Sequence, residues 1–442
     1  MYGAGTVIGS AARAMRSRAL FRLLVATAIA LAVPASALAQ TAPWARGQSR
    51  GEDLEVYLVT FGPGPQVVSW FGHSALVVED RRMGERRLFN YGMFSFDSKI
   101  LGRYALGRLE FWVEATPYVA ETYRLYAAEG RDVRLQRLNL SPERRLALAK
   151  ALSENILPQN RYYLYHHYYD NCSTRPRDLL DSAVDGALRR AGAGPGRMTL
   201  RDHTRRHTHV SPPMSVLLDF LMNDEIDKPI TAWDEAFLPA ELEALADRAT
   251  YAEGGQQLPV VAERRLVFEA GKPPPPSEPP AYGGWLLALG AAVGGSALLL
   301  GRWYRAGSWV GRALLGVETA VVGLVLGLPG TALLLMWLFT EHTVAHRNEN
   351  LFFANPLTLA AFPLGLMMAF GSERARRALR AVWLLLSASA LLGLALKVLP
   401  LFDQDNWRII ALVLPVSVGM AGASLLYDPV ARRAVEPSRG AV

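Results

Sequence analysis

Cysteine is nearly missing from this chain: Cys172 is the only one in 442 residues. A single thiol cannot close an intramolecular disulfide, so packing must hold the fold even in an oxidising compartment. The thiol is then either buried and inert or kept for chemistry. A glycine-rich phosphate loop is also lacking, since Gly62-Pro63-Gly64 is too short to cradle a nucleotide. No internal repeat is found. The net charge of +7 does not point to nucleic acid, because of where it sits. Segments 302–312, 372–380 and 427–442 hold ten arginines against Glu373, Asp428 and Glu436, which accounts for the whole excess. These segments flank long apolar runs, where positive charge sets membrane topology.

Apolar sequence is plentiful, at 51% of residues, and unevenly spread. Arg13, Arg16, Arg18 and Arg22 precede a short apolar core from Leu23 to Val33, and Ala37-Leu38-Ala39 stands before Gln40. Residues 1–39 therefore read as a secretory signal peptide, with an uncleaved anchor helix as the alternative. No cysteine follows the apolar core, so this is not itself a lipoprotein signal. Residues 51–271 have the mixed charge of a globular domain. Residues 272–281, which include KPPPPSEPP, form a stiff spacer. Five apolar stretches follow, near 283–301, 315–339, 352–370, 381–399 and 408–426. Each suits a helix crossing about 30 Å of hydrocarbon, giving a transmembrane domain over 283–427 and a cytoplasmic tail over 428–442. With the arginine-rich loops inside, the N-terminal domain and loops 340–351 and 400–407 face outwards.

Within the outer domain, Leu54 to Phe61, Ser74 to Val78 and Arg87 to Tyr91 read as strands. Helices are expected from Pro142 towards Ile156 and from Arg175 to Ala191. The domain is therefore α+β, followed by an all-α bundle of five transmembrane helices.

Cys172 lies in Tyr169-Asp170-Asn171-Cys172-Ser173-Thr174, just before the second helix. A helix N-terminus favours the thiolate, and the free amides there can form an oxyanion hole. The polar neighbours argue against an inert buried cysteine. Among eight histidines, His73 follows Phe71-Gly72 at the start of a strand, where a base is held rigidly. His166 and His167 stand in the aromatic run YYLYHHYYD and read as packing. Asn90, on the strand returning from His73, can orient the imidazole, or it can be a strand-end turn residue. His203, His207 and His209 have poor metal-ligand spacing beside Arg205 and Arg206, so no metal and no cofactor is expected.

The order His73 then Cys172 resembles the circularly permuted papain-like (NlpC-type) fold. More closely, YLVTFGPGPQVVSWFGHSALVV, FNYGMFSF, YYDNCSTRPRD and a multi-span C-terminus resemble the Lnb lipoprotein N-acyltransferases. The resemblance implies that His73 and Cys172 are the catalytic pair. It further implies acyl transfer from a membrane phospholipid to the amino-terminal cysteine of a diacylglyceryl-modified bacterial lipoprotein, at the inner membrane. Asn348 and Asn350 in the outer loop also look like family features, and with Arg175 they are candidates to hold a lipid headgroup. Two rival readings stand beside this one: a membrane-anchored peptidase or amidase acting on peptidoglycan, and a non-catalytic envelope assembly factor.

Overall fold

The computed structural model describes residues 42–95, 102–103 and 106–427; the expected signal peptide and cytoplasmic tail lie outside the described residues. Strand β1 (Leu54–Phe61) is buried along almost its whole length because both faces of its sheet are covered. It pairs antiparallel with β2 (His73–Asp80), which pairs with β3 (Glu85–Met93), which pairs in turn with β4 (Glu110–Thr116). With β5 (Val133–Leu138), β6 (Tyr162–Leu164) and, later in the chain, Val261–Phe268, these form a seven-stranded sheet. Its order is β6-β4-β3-β2-β1-β5-β9, where β9 is the Val261–Phe268 strand. A separate hairpin pairs β7 (Thr250–Glu253) with β8 (Gln256–Pro259).

Alternation along the strands sends one set of side chains to each face. Val59, Phe61, Ala75, Val77 and Leu88 pack with residues of α1 (Val119–Ala128). Leu58, Leu76, Val78, Phe89 and Tyr91 pack with α2 (Pro142–Asn155), α3 (Thr174–Ala183) and α4 (Ala187–Ala191). The single helix expected from Arg175 to Ala191 is thus corrected to two. Asp185 and Gly186 take φ of 53° and 80°, left-handed values that stop α3 and re-aim the chain into α4. Helices α5 (Leu200–His207), α6 (Pro212–Leu221), α7 (Ala232–Glu235) and α8 (Pro239–Arg248) complete the domain.

After the spacer come α9 (Gly283–Arg305), α10 (Trp309–Phe339), α11 (Pro356–Ala369), α12 (Glu373–Leu396) and α13 (Trp407–Ser424). Four of these are long and apolar enough to cross a membrane; α11 is not. Its 14 residues rise only about 21 Å. A segment over Thr343–Phe352, bent 53° from α11, precedes it, and the two together are long and apolar enough for a broken span or a re-entrant loop. The break has a local cause. Asn355 stands before Pro356, which bars it from helical geometry, and its side chain caps α11 by accepting from the Leu357 amide. Helices α10 and α11 pack closely through small residues. A Cβ added at Gly327 would come within 2.4 Å of the Leu359 backbone.

The soluble domain is fastened to the outer end of the bundle. Asp219 on α6, only 3% exposed, meets Arg201 and Arg205 of α5 and Arg408 of α13 at 3.4, 2.9 and 3.2 Å. Arg205 also reaches Asp405 at 2.5 Å in the outer loop before α13. Asn350 donates to the Asp219 and Phe220 carbonyls, Asn348 donates to Phe220, and Gln404 donates to Met222. Asn348 and Asn350 were expected to hold a lipid headgroup; both are buried, and their amides join the two domains instead. An outer loop that looks solvated in sequence is here an interdomain joint.

Replacing Asp219 with Ala leaves three guanidiniums without their shared carboxylate. We expect a loss of about 3–5 kcal/mol, the cost of breaking a buried ion pair from one side. It should appear as a lower melting temperature in detergent and faster proteolysis of the 272–281 spacer. Wild-type behaviour in both assays would remove this cluster from the account of docking.

Candidate active site

Cys172 sits in the turn that opens α3, and Asn171 builds that turn. The Asn171 side-chain oxygen accepts from the amides of Ser173 at 2.7 Å and Thr174 at 2.9 Å. Its side-chain nitrogen donates to the carbonyls of His167 and Phe237. The Ser173 hydroxyl donates to Ala236, so the turn is fixed from two sides. This corrects the expectation of several free amides at Cys172: those of Ser173 and Thr174 are taken by Asn171. The Cys172 amide contacts its own sulfur, and the Ser74 amide donates to that sulfur as well.

Ser74 is the residue after His73, so the sulfur lies beside the strand end that carries the imidazole. β2 begins at His73, paired with Phe61. The imidazole Nε2 lies 2.5 Å from Asn90 Oδ1. A carboxamide oxygen only accepts, so the ring carries its proton on Nε2 and Nδ1 is left as the basic nitrogen. Asn90 is held in that orientation by a hydrogen bond to the Tyr126 hydroxyl. The rings of Tyr126 and Phe61 stack at 3.8 Å, and each stacks on His73 at about 6 Å.

On the sulfur side the sheet is irregular. The β3–β4 register shifts between Asn90 and Met93, and Gly92 there has φ 87°. A Cβ at Gly92 would lie 3.3 Å from that of Cys172, so the bulge brings bare backbone under the nucleophile candidate. Tyr163 is buried beside it, and the guanidinium of Arg175 lies 3.9 Å above the Tyr163 ring. Arg175 also binds Asp170 through two nitrogens, at 2.6 and 2.8 Å. It was expected to bind substrate; the structure engages it in bracing the walls of the Cys172 turn.

Burial dominates the electrostatics. It pushes the Cys172 thiol up to about 11, against the opposing pull of the Ser74 amide and the Arg131 charge. It pulls His73 down to about 4, with Asn90 opposing and Arg131 assisting. The helix-terminus effect expected at Cys172 is therefore outweighed by desolvation. Both shifts favour the neutral forms, a thiol at Cys172 and an uncharged imidazole at His73.

The other histidines turn elsewhere. His167 is enclosed by Phe71, Tyr168 and Phe237. His203 bonds Glu235, His207 bonds the Trp70 carbonyl, and His209 bonds the Arg206 carbonyl. Among the described residues no group of three or more metal-capable side chains converges. Sequence reading missed Tyr126 and Arg131. The only local signal was an aromatic residue on α1 followed by Gly-Arg-Asp at the next turn.

A half-buried thiol whose pKa is pushed up by its surroundings gives a distinctive pH profile. Iodoacetamide should label Cys172 faster with each pH step up to about 11. A rate that already levels off near about pH 5 would instead reveal a standing thiolate–imidazolium pair. Mass spectrometry of the labelled peptide separates the two outcomes.

Comparison with known families adds an independent observation. Residues 40–206 match the Lnb N-terminal periplasmic domain, and residues 306–427 match the Lnb transmembrane domain. No curated protein and no solved structure matches the chain. The first match covers His73, Asn90 and Cys172; the second covers the outer loops that dock the domain and four of the five bundle helices. With both domains present in that order, the chain belongs to the Lnb family.

Proposed function

We propose that this protein is a cysteine-dependent lipoprotein N-acyltransferase of the bacterial inner membrane, with its soluble domain in the periplasm. Cys172 is the nucleophile, His73 the general base and acid, and Asn90 the residue that fixes the tautomer. The order of His73 and Cys172 fits a permuted papain-like site. The observation that carries the reading is the His73–Asn90 hydrogen bond beside the Cys172 sulfur.

In the first half-reaction, Nδ1 of His73 takes the thiol proton as the sulfur attacks an ester carbonyl of a phospholipid. The Cys172 amide stabilises the tetrahedral oxyanion. The glycerol oxygen leaves with the proton from His73, and a Cys172 thioester remains. In the second, the α-amine of a diacylglyceryl-cysteine attacks the thioester, His73 takes a proton from nitrogen, and the sulfur leaves with it as thiol. An amide is far more stable than a thioester, so no nucleotide is needed. Phe71 supports a membrane-facing placement, since it packs in a cluster with Val344 of the outer loop. That brings the strand end bearing His73 towards the bundle, where both lipid substrates reside.

Mass spectrometry after gentle isolation should find a fatty acyl thioester on Cys172, absent in Cys172→Ala. His73→Ala should slow its formation about 10²–10⁴-fold, the usual worth of a positioned base. Expression in a strain lacking its own N-acyltransferase should restore N-acylated lipoproteins. Full complementation by Cys172→Ser together with His73→Ala would favour a non-catalytic role. Release of cell-wall peptides by the wild type would favour the peptidase.

A further inference from the structure

Arg131 stands between α1 and β5 and is 5% exposed. Its Nε donates to the Gly62 carbonyl at 2.8 Å, and Nη1 lies 3.5 Å from the Glu129 carboxylate, which is half exposed. Its Nη2 is buried and has no hydrogen-bond partner. The guanidinium carbon lies 4.5 Å from the centre of the Tyr126 ring, whose ring stacks on His73. Close by, a Cβ at Gly64 would fall 2.9 Å from Arg131 Cδ and 2.5 Å from Ser69 Oγ, so the Gly62–Ser69 loop grips the arginine stem.

A cation kept from water with an idle donor is costly, and the Gly62 carbonyl, the Tyr126 ring face and one distant carboxylate leave Nη2 unsatisfied. Removing the charge would be the simplest remedy for stability. Its retention beside the reacting pair points to a bound anion that completes the guanidinium fork. Arginine matches a tetrahedral phosphate better than a point charge does, because two nitrogens can donate together. We propose that Arg131 is the binding site for the phosphodiester of the acyl donor. This rests on the acyl-transfer reading above and adds donor selectivity to it. The acceptor has no phosphate, so the same arginine sorts the two lipids: one is held by its headgroup, and the other approaches with a cationic amine that Arg131 repels. The charge of Arg131 is felt at both Cys172 and His73, as such proximity requires.

The test uses the full chain in detergent, with dihexanoylphosphatidylglycerol and dihexanoylglycerol as probes that differ by the phosphate headgroup. The readouts are protection of Cys172 from iodoacetamide and the rate of thioester formation. Wild type should be half-protected at about tenfold lower phospholipid than glyceride. Arg131→Gln should abolish that difference, and Arg131→Lys should keep part of it, with unchanged melting temperatures showing that both variants fold. Equal protection by the two probes, or an unchanged preference in Arg131→Gln, overturns the proposal. So does protection by millimolar inorganic phosphate as strong as that by the phospholipid, which would mark a free-anion site. A uniform loss of thioester rate with both donors would assign the charge to the transition state instead. Phosphate-dependent protection without any thioester would uphold the site and sink the transfer reading.

Discussion

Cys172 is half-buried, and His73, on the strand whose Ser74 amide meets the sulfur, is held in place by one hydrogen bond. Asn90 fixes His73 in the tautomer whose free nitrogen can take a proton, and Tyr126 fixes Asn90. The sheet makes this possible. Asn90 lies opposite Ala75, two residues along β2 from His73, on the same face of adjacent strands. A slip of one residue in either strand would turn one of these side chains to the other face. The burial of Leu76, Val78 and Phe89 on one side and Ala75, Val77 and Leu88 on the other resists that slip. Core packing and site geometry are thus the same constraint.

The second constraint is the joint between the domains. A soluble domain joined to the bundle only by a stiff proline-rich spacer could still pivot at the spacer's ends. Asp219 and its three arginines, with Asn348, Asn350 and Gln404 beside them, replace that freedom with one arrangement. Buried ion clusters contribute little net stability but are costly to break from one side. Such a joint is a device for position. It lies beside the cluster in which Phe71, two residues before His73, packs together with Val344 of the outer loop.

Much of this was readable from the chain. The β1 boundaries follow from a β-branched and aromatic run ended by Gly62-Pro63-Gly64, and His73, Asn90 and Cys172 stood out by residue type and position. Other features were hidden for physical reasons. Asp185-Gly186 is an ordinary turn signal, but the apolar face formed by Leu180, Val184, Ala187 and Leu188 continues through it and masked the break. Asn348 and Asn350 read as headgroup ligands because sequence carries no record of what another domain brings against a loop. The 352–370 run satisfied hydropathy while Asn355-Pro356 divided it. Arg131 was invisible because a buried cation looks like a surface one until the fold encloses it. The thiol was expected to be acidic from its helix, and desolvation reversed the sign.

That reversal bears on the second half-reaction of the proposed cycle. An α-amine has an ordinary pKa near 8 and is mostly protonated at neutral pH, when it cannot attack a thioester. The same loss of water that holds Cys172 as thiol and His73 as neutral imidazole disfavours an ammonium, and the Arg131 charge disfavours it further. An amine entering this site is thereby pressed towards its nucleophilic form before any base touches it. The imidazole then needs to accept a proton only as the C–N bond forms, when nitrogen becomes acidic. Keeping every participant neutral until bonds change suits a transfer whose acceptor is an amine and whose competitor is water.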